Sequence, residues 1–227
     1  MAGGPFRVRV PVRVDFAGAW SDVPDFSEQE GGAVLNAAID RYVEGEASWD
    51  GEGLRVSYRL DVGPDSHLGT SSASNLAWLQ LIHALTGTAA SPVEVVEKAY
   101  ALDGLMGEKG GKQDGYAAAL GGINLLRFGA ADEPAQVEPI LLAPERIAAL
   151  EELLLLCDAG PSSGSGGQHE ELWRRFREGD AHVRDTLRGI RDTVEPARDA
   201  LVAGYWDALG ELVTRNRELA RALAAAR

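Results

Sequence analysis

The stretch Gly110–Gly122, GGKQDGYAAALGG, sets an acid, Asp114, two residues from a base, Lys112, in a glycine-rich turn that runs into the helix formers YAAAL. A carboxylate at a loop-to-helix junction meets unpaired backbone N–H groups that favour its ionised form, and a nearby ammonium favours that form further. The pair is suited to acid–base chemistry. The chain has three lysines, Lys98, Lys109 and Lys112, against nineteen arginines, so lysine at this place reads as a choice rather than a reflection of composition. The same stretch also reads as an ordinary helix start with a capping Asp and solvated lysines.

A second candidate is Gly63–Ala73, GPDSHLGTSSA, which opens SNLAWLQLIHALTG. Leu76, Leu79, Ile82, His83 and Leu85 recur at helical spacing and the run stops at Gly87, so a helix is expected, with His83 as an ordinary member of it. Small hydroxyl residues opening a helix present unpaired N–H groups and the positive end of the helix dipole, which makes an anion site. Plain N-capping by Thr70, Ser71 or Ser72 accounts for the same residues. A third candidate is the loop Ala17–Pro24, AGAWSDVP, which groups Trp20, Ser21 and Asp22. The segment Ala159–Gly167, AGPSSGSGG, reads as a flexible loop or another phosphate-handling turn.

The elements that must hold these loops follow from periodicity. Phe6–Phe16 alternates apolar and charged residues around Pro11, giving a strand or strand pair that carries Arg13. AVLNAAID leading into RYVEGEASW, and LRVSYRLDV after a turn at Asp50–Gly53, are further strands. Ser91-Pro92 begins a helix with Val93, Val96, Ala99, Tyr100 and Leu102 on one side and Asp103 near its end. INLLRF is a strand, VEPILL follows a polar linker, and Pro144–Leu155 is a helix leading into a short apolar strand that ends at Asp158. From Gln168 onward two apolar stripes separated by Glu195-Pro196 predict an α-α hairpin.

The 227 residues, 45% of them hydrophobic, suffice for a substantial core. A formal net charge of -13 argues against nucleic acid and anionic membrane surfaces as partners, although placed arginines and backbone amides still admit a phosphorylated ligand. The single Cys157 rules out an internal disulfide and reads as a buried core thiol. No leader or membrane span is recognisable, so a cytoplasmic location is expected.

The order PVRVDFAGAWSDVP, then HLGTSSA opening a helix, then GGKQDGYAAALGG resembles the GHMP small-molecule kinases, and within them the heptose-7-phosphate kinase and L-fucokinase branch. The resemblance covers most of the chain, to about Leu223. It implies an α+β fold with an N-terminal domain of the ribosomal protein S5 domain 2 type over 1–128, and a shortened C-terminal domain over 136–227 ending in the helical hairpin. It implies phosphoryl transfer from ATP, with Mg2+, to a hydroxyl of a sugar or sugar phosphate. By position, Asp114 matches the catalytic aspartate, with Arg13 close to it and Lys112 available to stabilise the transferred group. Ser21 and Asp22 match a pair that hydrogen-bonds sugar hydroxyls, and Trp20 and Tyr116 are expected to bind substrate with them. Leu68, Gly69, Thr70, Ser71 and Ser72 match the phosphate-cradling loop, and Ser71 with Asp103 the metal site.

The departures fall on the nucleotide side. The family loop P-x-G-x-G-L-G-S-S has Asp65 and His67 in place of its first two glycines, which adds side chains and a negative charge where backbone must approach phosphate. Tyr58–Gly63 leaves no room for the helical segment that usually helps hold the nucleotide. QDQ is Gln113-Asp114-Gly115, and the C-terminal GAGGGG motif is absent from the sequence given. A sugar kinase is therefore expected. The alternative is a protein on the same scaffold that no longer uses ATP, either a sugar-phosphate-binding pseudokinase or an enzyme doing acid–base chemistry on a sugar with no cofactor. An uncovered apolar surface gives the further expectation of a homodimer.

Overall fold

The computed structural model describes residues 5–49, 52–64, 66–107, 110–157 and 166–225. Asp65, Lys109, Asp158, most of the Ala159–Gly167 segment and part of the Asp50–Gly53 turn lie outside the described residues. In order, the elements are β1 (Phe6–Ala17), α1 (Pro24–Glu30), β2 (Gly32–Trp49), β3 (Leu54–Leu60), α2 (Thr70–Thr86), α3 (Pro92–Leu105), α4 (Gln113–Leu120), β4 (Ile123–Phe128), β5 (Gln136–Pro139), α5 (Pro144–Leu153), α6 (Gly166–Arg177), α7 (Ala181–Arg191), α8 (Val194–Ala203) and α9 (Trp206–Ala225). The sheet runs β1-β2-β4-β5, with β3 also on β2. The chain packs as two compact units, Met1–Val14 with Ala37–Gly122, and Asp15–Asn36 with Ile123–Arg227.

In the first unit, β2 and β3 are antiparallel, with Val43 opposite Leu60 and Trp49 opposite Leu54. β1 is one strand that passes straight through Pro11. It lies at the end of the strand order, the place in a sheet where proline is tolerated. Helices α2, α3 and α4 pack on one another. α2 begins at Thr70, so the hydroxyl run TSS forms its first turn, and it ends on Gly87 in the left-handed conformation (φ 66°). α3 opens on a capping box, in which Ser91 accepts from the Glu94 N–H and Glu94 accepts from the Ser91 N–H. Pro92 supplies the first-turn φ.

The second unit is built around Phe26, Trp173, Phe176, Val183, Leu187 and Ile190, with Phe26 and Phe176 edge to face at 5.8 Å. The expected hairpin is four helices, α6 to α9. Glu195-Pro196 does not break the run, because Pro196 lies in the first turn of α8, where the N–H it lacks has no intrahelical acceptor. The breaks fall at Gly179-Asp180, where Asp180 caps α7 by accepting from the N–H groups of His182 and Val183, at Asp192-Thr193, just ahead of the expected position, and at the left-handed Gly204. Hydrogen bonding from Arg188 holds the Glu30 carboxyl below the usual carboxylate range and ties α7 to α1.

Two further expectations need correcting. α5 ends at Leu153, and Leu154–Cys157 is exposed and outside any strand. The apolar run suggested burial, but Leu155 is 85% exposed and the Cys157 thiol is likewise at the surface.

Candidate active site

In the first unit the expected acid stands where the motif put it, in the first turn of α4. Both bonds from Arg13 land on a single oxygen of Asp114, Nε to Oδ1 at 2.9 Å and Nη2 to Oδ1 at 2.6 Å. The second oxygen, Oδ2, takes no hydrogen bond among the described residues. The Asp114 side chain is 27% exposed while that of Arg13 is 10% exposed, so the cation is fixed behind the acid and the acid is reachable. Arg13 is fixed in turn. Its Nη1 donates to the His67 carbonyl at 2.8 Å, and its backbone N–H donates to the Leu68 carbonyl at 3.0 Å.

Those two carbonyls belong to the loop that opens α2, so the acid and the loop share one arginine, the guanidinium serving Asp114 and His67 and the backbone N–H serving Leu68. Gly69 takes φ 76° and is the N-cap of α2, with no side-chain cap on the first-turn amides. A Cβ on Gly69 would lie 3.2 Å from that of Asp114 and would sit at a strained φ, so glycine suits this close approach. His67 is also left-handed (φ 59°) and its ring is exposed. Thr70 is buried, its hydroxyl 3.0 Å from that of Ser66, and so braces the loop. Ser71 is exposed. Ser72, Asp103, Lys112 and Gly115 line a cleft of about 20 Å³. Asp103 accepts from Asn75 at 2.7 Å, and Asn75 lies one turn beyond Ser71 on α2.

This arrangement fits an anion at the α2 N-terminus and a hard cation nearby. Among the described residues no three His, Cys, Asp or Glu side chains converge as a metal cage would require. Mg2+ asks for less, since it takes one or two protein oxygens and completes its shell with water and substrate phosphates. Asp103 and Ser71 supply that donor type.

Lys112 and Tyr116 are employed differently from the expectation. The Lys112 Nζ donates to Glu97 Oε2 at 2.6 Å, and its side chain is 4% exposed. The Tyr116 hydroxyl donates to Glu97 Oε1 at 2.5 Å and its ring is fully buried. Glu97 was not foreseen. The available signal was a carboxylate inside the apolar stripe Val93, Val96 and Tyr100 of α3.

The expected sugar residues lie in the second unit. Trp20 is left-handed (φ 82°) and its ring lies tilted on Trp173 at 6.5 Å. The Ser21 hydroxyl lies 2.7 Å from the carbonyls of Gly18 and Ala33 and accepts from the Ala33 N–H, so it closes the turn. Asp22 is buried.

The fold is that of the GHMP small-molecule kinases, as the sequence resemblance implied. A D-glycero-D-manno-heptose 1-phosphate kinase from Bacteriodes thetaiotaomicron superposes with a TM-score of 0.76 at 20% identity, over 95% of this chain and 79% of that one. A mevalonate kinase from L. major, in complex with R-mevalonate, gives 0.68 at 16% identity over 98% and 76%. A Lactococcus lactis galactokinase complexed with galactose gives 0.63 at 16% over 94% and 74%. In sequence, the chain is 23% identical to the bifunctional fucokinase/GDP-fucose pyrophosphorylase of Arabidopsis thaliana, over 92% of this chain. It spans only 25% of the length of that curated relative. No protein-family model matches the chain.

Proposed function

We propose that the protein is a sugar or sugar-phosphate kinase that transfers a phosphoryl group from ATP to a sugar hydroxyl. The observation that carries this reading is the Arg13–Asp114 pair set against Gly69, which combines an oriented, accessible acid with the loop that would hold phosphate. The sugar-kinase names among the structural and sequence neighbours support the substrate class.

When bound, ATP supplies the phosphoryl group, with ADP leaving. The chain's own part follows from its geometry. Asp114 takes the proton of the attacking hydroxyl on Oδ2, the oxygen Arg13 does not use. Arg13 keeps that carboxylate aimed. The first-turn amides of α2, from Thr70 to Ser72, would hold phosphate oxygens, with Ser71 and Asp103 as donors to Mg2+. Lys112 and Tyr116 act through Glu97 rather than on the ligand. Trp20 and Asp22 remain the proposed sugar contacts, with Ser21 shaping their turn.

His67 favours a second reading, because it takes a left-handed φ where the resembling family has a glycine, adding a side chain to the loop expected to approach phosphate. Under that reading the protein binds or transforms a sugar without ATP. Calorimetric titration with magnesium-ATP, heptose 7-phosphate and fucose, followed by a phosphoryl-transfer assay, separates the two. ATP binding with transfer carries the kinase reading, and sugar binding without ATP binding carries the other. Among the described residues no helix is long and apolar enough to cross a membrane. We also propose a homodimer that covers exposed leucines such as Leu141 and Leu155; a monomer by light scattering would refute it.

A further inference from the structure

We propose that Glu97 is a positioning residue for the catalytic acid, acting as a clamp on the single helical turn that carries Asp114. This rests on the kinase reading only for its kinetic arm. The turn needs such a device. α4 is eight residues long, follows Gly110-Gly111, and has no side-chain cap. A glycine pair and the lack of a side-chain cap leave this N-terminus to be held from outside the helix.

The clamp comes from α3. Lys112 and Tyr116 are one turn apart, with the Tyr116 N–H donating to the Lys112 carbonyl at 3.2 Å. Their side chains converge on the two oxygens of Glu97, one on each, at 2.6 and 2.5 Å. Between them, a Cβ on Gly115 would meet Val96 Cγ1 at 3.1 Å, so the two helices touch at this turn and hold it from both ends. Asp114 leaves the same turn toward Arg13 and Gly69. Three contacts on one side thus set where the acid stands on the other. The burial of Lys112 makes Glu97 its counter-ion as well, so the clamp is charge-assisted on one arm and hydrogen-bonded on the other.

An acid displaced by about 1 Å loses on the order of a hundredfold in rate. Glu97→Gln keeps the shape and removes the charge. Tyr116→Phe removes one hydroxyl, leaves the Lys112 pair intact, and serves where Glu97→Gln fails to fold. Each folded variant should lower kcat by roughly 10- to 100-fold with KM within about twofold, the pattern of an interaction that matters in the transition state. Independently of activity, the 15N–1H signal of the Arg13 Nε–H, which reports its bond to Asp114 Oδ1, should lose its protection from exchange in both variants. Lower thermal stability with unchanged kcat per folded molecule and an unchanged Arg13 signal would overturn the proposal. If the unaltered protein transfers no phosphoryl group, the kinase reading fails. The Arg13 signal then decides the clamp alone.

Discussion

At the N-terminus of α4 the charges are held by side chains, Asp114 by Arg13 and Lys112 by Glu97, each at 2.6 Å. At the N-terminus of α2 the corresponding work falls to the backbone, with His67 and Gly69 both left-handed and no side chain capping the first-turn amides. The acid side should therefore answer first to changes of functional group. The loop side should answer first to changes of φ. The two meet at Gly69, which belongs to the loop and touches the acid.

Removing the acid tests the first half of this comparison. Asp114→Asn keeps an oxygen for Arg13 but cannot accept the proton, so kcat should fall by about 10²- to 10⁴-fold while sugar affinity by calorimetry stays near its original value. Activity within tenfold of the original would remove Asp114 from the base role. Arg13→Lys probes the orientation of the acid. The charge remains, but the two bonds to Oδ1 and the fixed fork are lost, and the expected cost is roughly 2 kcal/mol, or about thirtyfold in kcat/KM. An effect confined to stability would make Arg13 a structural brace.

Gly69→Ala strikes both sides at once. A methyl group there must adopt an unfavourable φ at about 1 kcal/mol and must also displace the Asp114 side chain. About a tenfold loss is expected in kcat, together with weaker binding of magnesium-ATP. Loss of binding alone would mean that the loop and the acid are independent, contrary to the contact between them.

Local chemistry made the acid and the α2 loop legible in the sequence, because such residues carry their own geometry with them: a carboxylate at a helix start, a glycine in a tight turn, a capping Ser91-Pro92; the nearness of Arg13 to the acid came only from the family resemblance. Glu97 was hidden because its partners are 15 and 19 residues away and its role exists only once α3 packs on α4. Pro196 misled because proline signals a boundary without saying which side of it the helix lies on. LLLLC misled because an apolar run is buried only if something covers it, and among the described residues nothing does so for Leu155. The grouping of 15–36 with 123–227 has no local signal, since it depends on Phe26 packing against Phe176 across 150 positions.

The smallest expected effect lies at His67 and separates strain from recognition. A non-glycine residue at φ 59° costs about 1 kcal/mol, although histidine is among the types found there more often than most. Glycine removes that cost but gives the unfolded chain more freedom, which takes back about 0.4–1 kcal/mol. His67→Gly should therefore change stability by less than roughly 0.5 kcal/mol, within a degree or two of Tm. The His67 carbonyl that holds Arg13 is backbone and survives the substitution, so the acid side should be untouched. Any gain should then show in the binding of magnesium-ATP, by about two- to fivefold for less than 1 kcal/mol of relieved crowding. A gain in nucleotide affinity with unchanged sugar affinity would assign the loop to nucleotide phosphate. A loss of sugar-phosphate affinity instead would mean that the histidine is itself a ligand, and the loop would then belong to the ATP-independent reading.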